Sequence, residues 1–153
     1  PVSAALVDAV QAAAERAGSP LRRGLTYACV EGPRLGTQAE SHLLRQSGCQ
    51  LVGMTNVPEV FLAREAQMAY ATVGMVTDYD CWLDDPAQHV SVGAIFERYG
   101  RTLALARAVL DELLRAPLPA PEPEIRQALA GALLTPEEAL SDEQRRWLAV
   151  LRA

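Results

Sequence analysis

Leu25-Thr26-Tyr27-Ala28-Cys29-Val30 lies between Gly24 and the pair Gly32-Pro33, and its aromatic, β-branched and small residues read as a short strand closed by turn signals. A polar loop follows, Glu31-Gly32-Pro33-Arg34-Leu35-Gly36-Thr37, and then a helical stretch over residues 39–45 that stops at Gly48. Residues 50–55 repeat the strand pattern. Pro58 opens a helix over residues 59–68, because the first helical turn needs no amide donor from it. Residues 69–77 form a third apolar run, read as a third strand. Strand and helix alternating with short links predict a parallel sheet covered by helices, an α/β architecture. Ligands of such sheets bind beyond the carboxyl ends of the strands. Three segments at those ends therefore become parts of one candidate site: residues 31–37, Met54-Thr55-Asn56, and residues 77–82.

Helices flank this centre. Residues 2–17 place Ala5, Leu6, Ala9, Val10, Ala13 and Ala17 at helical spacing and stop at Gly18-Ser19-Pro20. After a polar loop over residues 83–89, a long helix is predicted over residues 91–115, with Val92, Ile95, Phe96, Tyr99, Leu103, Ala106, Leu110 and Leu113 as its buried stripe. Pro117, Pro119, Pro121 and Pro123 recur at every second position, which forbids helix and favours an extended connector or a strap across the surface. Two short helices are predicted beyond it, over residues 124–133 and 142–152, the second capped by Ser141 with Gln144 three residues on. The organisation read from this is an α/β unit over 1–115, a proline-rich connector over 116–124 and a helical tail over 125–153.

Half of the 153 residues are apolar and the net charge is −5, which describes a soluble acidic protein with enough hydrophobic mass for a core. The arginines are scattered, so nucleic acid is not an expected partner. No apolar run reaches bilayer length and the first residues show no signal-like core, so no membrane association and a cytoplasmic location are expected. Cys29, Cys49 and Cys81 form no CxxC pair and suit reduced thiols. With His42 and His89 as the only histidines, a His-rich metal centre is excluded. The chain begins at Pro1 without an initiator Met, the mark of a truncated or processed chain.

Val76-Thr77-Asp78-Tyr79-Asp80-Cys81-Trp82 ends the third run with carboxylates at i and i+2. On a strand, side chains alternate, so Asp78 and Asp80 are expected on one side and Tyr79 on the other. Two acids sharing a small site do not both ionise cheaply, so one pKa is expected to rise and make a proton available to a leaving group at neutral pH. The same pair also reads as an ordinary polar start to a loop. Cys81 has no adjacent His or Lys to activate it and is given no chemical role.

Taken together, Glu31-Gly32-Pro33-Arg34, Ala39-Glu40-Ser41, Met54-Thr55-Asn56-Val57-Pro58-Glu59-Val60, Ala63-Arg64-Glu65-Ala66 and Thr77-Asp78-Tyr79-Asp80-Cys81-Trp82 resemble the trimeric purine nucleoside phosphorylase family. Within it, they are most similar to the 5'-methylthioadenosine phosphorylase branch. The resemblance covers residues 1 to about 115 and implies the C-terminal half of a three-layer domain of mostly parallel strands flanked by helices. It also implies a homotrimer. The family's preceding half carries a phosphate-binding loop, so residues 1–153 alone are not expected to catalyse. Either a separate N-terminal fragment stays associated, as the burial needs of half a sheet favour, or the chain is a remnant.

The family cleaves the N-glycosidic bond of a purine nucleoside with phosphate as nucleophile. Inorganic phosphate is thus implied as a co-substrate, and no cofactor is expected. By the same resemblance, Asp78 supplies a proton or hydrogen bond to purine N7, and Asp80 supports it near the exocyclic group. Asp rather than Asn at position 78 points to a 6-amino purine. Gly36 stands where 6-oxopurine branches place a Glu, and Leu35 where relatives often place a Phe against the base. Thr55 matches a phosphate-contacting hydroxyl and Met54 the residue against the ribose; without the resemblance that pair reads as core plus cap. Val92 and Ile95 match positions bordering the 5' substituent, Val92 standing in place of a His that holds a 5'-hydroxyl, although core packing explains both equally well. Arg34, Glu40 and Glu59 are expected to hold loops through ion pairs and caps, and Trp82 to pack its loop. His89 is read as loop.

The expected reaction is phosphorolysis of 5'-methylthioadenosine to adenine and 5-methylthioribose 1-phosphate, with the missing half supplied in trans. The alternatives are a phosphorylase of methylthioinosine or ordinary purine nucleosides, and a non-catalytic purine-binding or oligomerisation module.

Overall fold

The computed structural model describes residues 2–19, 21–83 and 92–152. Its centre is a parallel pair of strands, β1 (Tyr27–Cys29) and β2 (Leu51–Gly53), in the register Tyr27 to Leu51, Ala28 to Val52 and Cys29 to Gly53. The Val30 amide donates to the Gly53 carbonyl at 2.8 Å and carries the pairing one step beyond β1. The crossover between the strands is α2 (Gln38–Gln46). Its start is fixed by a reciprocal cap in which the Thr37 hydroxyl accepts from the Glu40 amide and the Glu40 carboxylate accepts from the Thr37 amide. Its end is fixed by Gly48, whose φ of +81° suits a residue without Cβ.

Two further helices form the main apolar contact. In α1 (Ala4–Arg16), Val10, Ala13 and Ala14 pack against Val109 of α4 (Val92–Leu114), with Ala17, Leu21 and Leu113 at the margin. The small residues of α1 let the helices approach closely. Arg16 adds an ion pair to Glu112 at 3.4 Å. The buried stripe predicted for α4 is met in part: Leu113 packs on this contact and Ala106 lines the hollow beside it, but the stripe missed Val109, the most buried described residue of the helix, while Phe96 and Leu110 are 71% and 51% exposed. The reason is that α1 covers one side of the second half of α4.

Residues 69–77 are not a strand here. A strand is defined by its ladder, and among the described residues the backbone-to-backbone bond this run makes is from the Ser3 amide to the Tyr70 carbonyl, 2.8 Å. The run passes β2, since a Cβ on Gly74 would stand 3.8 Å from Leu51 Cδ1. An apolar hollow of about 200 Å³ opens between this run, α1 and α4, lined by Val10, Val73, Met75, Val109, Leu110 and Leu113 among others.

Helix α3 (Glu59–Glu65) follows Pro58 as predicted but stops three residues early, where Gln67 takes a φ of +56° and donates its side-chain amide to the Leu151 carbonyl. The proline-rich connector has no regular structure up to Glu122. It behaves as a strap: the Glu122 carboxylate accepts from the Ser3 hydroxyl at 2.8 Å and from the Ala5 amide at 2.9 Å, completing the N-terminus of α1. Pro123 then opens α5 (Pro123–Arg126), which is much shorter than the predicted helix because residues 127–132 continue as i to i+3 turns ending near Gly131, φ +73°. Ile125, 2% exposed, anchors it. Helix α6 (Asp142–Leu151) carries the predicted Ser141 and Gln144 capping box.

Candidate active site

The three segments at the strand ends come together through specific contacts. Gly32, in the loop after β1, touches Met54, after β2: a Cβ on Gly32 would lie 2.6 Å from Met54 Sδ. The Cys29 sulfur accepts from the Val57 amide at 3.3 Å, tying the end of β1 to the same turn. The third segment reaches the first where the Cys81 thiol donates to the Gly36 carbonyl at 3.7 Å. Burial, with Asp80 adding to it, pushes the Cys81 thiol above its ordinary pKa, which suits a packing group rather than a nucleophile.

The acidic pair is arranged differently from a strand alternation. Asp80 has φ +59° and begins a 3-10 turn, Asp80–Trp82. Asp tolerates that conformation better than most residues. One Asp78 oxygen accepts from the Asp80 amide at 2.8 Å and the other from the Thr77 hydroxyl at 2.7 Å. Asp78 therefore folds the turn that carries Asp80, and both carboxylates are half-buried. Three groups clamp this turn. The Arg45 guanidinium of α2 lies 3.5 Å above the Trp82 ring, Tyr79 meets Trp82 edge-on at 6.4 Å, and Arg98 of α4 donates to the Thr77 carbonyl at 3.0 Å. Trp82 thus packs the loop, as predicted. Arg45 and Arg98 were not predicted; their spacing on polar helix faces carries no signal of which aromatic or carbonyl they meet.

The loop over 31–37 is held by Arg34 and Glu40, which make a two-pronged ion pair. Both side chains are exposed. Arg34 and the Thr37 bonds hold the Glu40 carboxyl at about 2, well below its ordinary value of 4.5. A carboxylate with a lowered folded-state pKa contributes stability above about 4.5 that is lost as pH falls toward 2. Glu40→Gln is accordingly expected to show a smaller drop in Tm than the parent between pH 5 and pH 2.5, measured by thermal melts across that range. Gly32→Ala should push Met54 out of place at a cost of about 1–3 kcal/mol, read by denaturant unfolding.

Met54 is half-buried and Thr55 exposed; Gly36 is exposed and Leu35 is 79% exposed. The side chains of Val92 and Ile95 lie outside the described residues, as does His89. Behind the Met54-Thr55 turn stands a polar group that the sequence reading missed. The Tyr70 hydroxyl lies 3.1 Å from Asn56 Oδ1 and 2.8 Å from Glu59 Oε1, and the Thr72 hydroxyl donates to Asn56 Oδ1 at 2.8 Å. Among the described residues no helix is long and apolar enough to cross a membrane, and no cluster of three or more His, Cys, Asp or Glu could hold a metal.

The sequence profile of the Phosphorylase superfamily matches residues 1–115. The chain is 46% identical over 139 residues to the S-methyl-5'-thioadenosine phosphorylase of Rhodospirillum rubrum, covering 88% of this chain and 47% of that protein. To the protein of the same name from Geobacter sulfurreducens it is 38% identical over 151 residues, covering 99% of this chain and 52% of the relative. A crystal structure of a methylthioadenosine phosphorylase from an Antarctic soil metagenomic library superposes with a TM-score of 0.83 at 36% identity, over 99% of this chain and 54% of that one. The chain spans about half the length of the curated relatives it matches.

Proposed function

Because this chain belongs to the phosphorylase superfamily, we propose that it forms one part of an enzyme that cleaves 5'-methylthioadenosine with inorganic phosphate. The products are adenine and 5-methylthioribose 1-phosphate. The observation that carries this reading is the Asp78-Asp80 turn, folded on itself and clamped against the loop after β1. It supplies carboxylates on a rigid support next to the Met54-Thr55 turn's own partner loop.

The chemistry follows from what departs. As the glycosidic bond lengthens, the sugar becomes cationic and the purine gathers negative charge on its ring. In this reading Asp78 holds a proton or hydrogen bond at purine N7, where that charge accumulates. Asp80 accepts from the 6-amino group. Thr55 donates to phosphate beneath the sugar carbon, and Met54 lies against the ribose. Gly36 offers no acid to a 6-oxopurine N1 proton, which supports the amino substrate. Val92 and Ile95 would line an apolar space for the methylthio group. Phosphate is a reactant, and no cofactor is part of the reading.

The reading includes a partner. The unladdered run over 69–77, the hollow beside it and the exposed apolar residues Val73, Val76 and Phe96 leave a face that the remainder of a phosphorylase domain would cover. Assembly as a cytoplasmic trimer belongs to the same proposal. The test is adenine release, by chromatography, from 5'-methylthioadenosine and from methylthioinosine with phosphate, using the chain joined with that remainder. A preference for the amino substrate is expected. A folded assembly that phosphorolyses neither substrate would overturn the proposal, and preference for methylthioinosine would overturn its choice of base.

A further inference from the structure

We infer that Tyr70 is a positioning residue for the Met54-Thr55 turn, acting through Asn56 and Glu59. The inference rests on the proposed roles of Met54 and Thr55, because it concerns how those two are held. The turn itself is short and its Thr55 is exposed, so little of its own packing fixes it. Besides the Gly32 contact and the Cys29 bond to Val57, what fixes it is on the far side. The single Tyr70 hydroxyl proton is shared between Asn56 Oδ1 and Glu59 Oε1, and Thr72 supplies a second donor to Asn56.

Asn56 is tied in two directions, since its carbonyl also accepts from the Val60 amide at the start of α3, 3.0 Å. Thus one residue after Thr55, side chain and backbone are bonded to two separate elements. Tyr70 is itself immobilised, because its carbonyl accepts from the Ser3 amide at the entry to α1. Burial, together with Glu59, pushes the phenol above its ordinary pKa, so the hydroxyl remains a donor at any pH where the enzyme works. The run over 69–77 therefore contributes more than apolar filling: its one phenol reaches across to the turn that would hold phosphate and ribose.

The test compares the completed enzyme with its Tyr70→Phe, Asn56→Ala and doubly substituted forms. Losing one hydrogen bond to a positioned group is expected to raise KM for phosphate about tenfold, with kcat at saturation changed less than about threefold. Amide hydrogen exchange over residues 54–57 should quicken about tenfold in the Tyr70→Phe protein. In the Asn56→Ala background, removing the hydroxyl should add little, because the two act as one device. Unchanged exchange and unchanged phosphate KM would overturn the inference, and so would a fall in Tm with kcat and both KM values affected alike. Should the parent enzyme turn over no nucleoside, the proposed function fails, while the exchange comparison still decides whether Tyr70 holds the turn.

Discussion

Asp78→Asn is expected to lower kcat for adenine release from 5'-methylthioadenosine by about 10²–10³-fold while the protein stays folded. The size follows from the proposed role, in which Asp78 meets charge formed only in the transition state. The retained fold follows from the geometry: an Asn at 78 keeps an oxygen for the Asp80 amide, and its NH2 can donate to the Thr77 hydroxyl, so the turn Asp80–Trp82 need not reorganise. Asp78→Ala removes that cap as well and should lose stability along with activity. The measurement is steady-state kinetics on the assembled enzyme with a Tm for each variant. An Asp78→Asn enzyme of parental kcat would remove the carboxylate from the chemistry. The same variant should gain on methylthioinosine relative to methylthioadenosine, since an amide N–H can donate to a 6-oxo group.

The second large effect concerns completeness. The 153-residue chain by itself is expected to be catalytically silent, and to gain at least about 10⁴-fold in adenine release when combined with the remainder of a phosphorylase domain. Positioning phosphate accounts for an effect of that order, and Thr55 is the one residue of this chain read as touching it. The structure supplies the reason to expect association: among the described residues, a two-stranded sheet, a third run without a ladder partner, and a hollow of about 200 Å³ bordered by exposed Val73. Mixing the two polypeptides and following adenine release decides the matter. Substantial turnover by the 153 residues alone would refute the prediction, and a stable but inactive complex would favour the non-catalytic reading.

What could be read in the sequence was whatever is enforced locally. Ser141 with Gln144 carries a helix start within four residues, and that cap forms; Thr37 with Glu40 carries the same signal, which was not read as a cap, and it forms too. The two short strands and the convergence of three loops followed from alternation, a rule about connection rather than about individual contacts. Other features depended on partners distant in sequence. Residues 69–77 have the composition of a strand, yet a ladder needs a neighbour, and composition cannot supply one. The stripe of α4 was right at Ala106 and Leu113 but missed Val109, because Leu110 and Val109 both fit a helical stripe and only the small side chains of α1 decide that Val109 is covered. At the site, two acids at i and i+2 looked like a strand pair; the positive φ of Asp80 turns them into a cap and its turn. Tyr70 was passed over as one apolar residue in an apolar run, although a hydroxyl in such a place needs an acceptor, and that need was the available signal.

The bond from Glu122 to Ser3 has a consequence for the order in which the protein is made. Its partners stand 119 positions apart. At ribosomal speeds of about 5–20 residues per second, the first helix emerges several seconds before the carboxylate that finishes it exists. During that interval the Ser3 hydroxyl already serves the Leu6 amide while the Ala5 amide is left to water, and a message broken within the proline codons would yield a polypeptide in which this helix keeps only half of its closure.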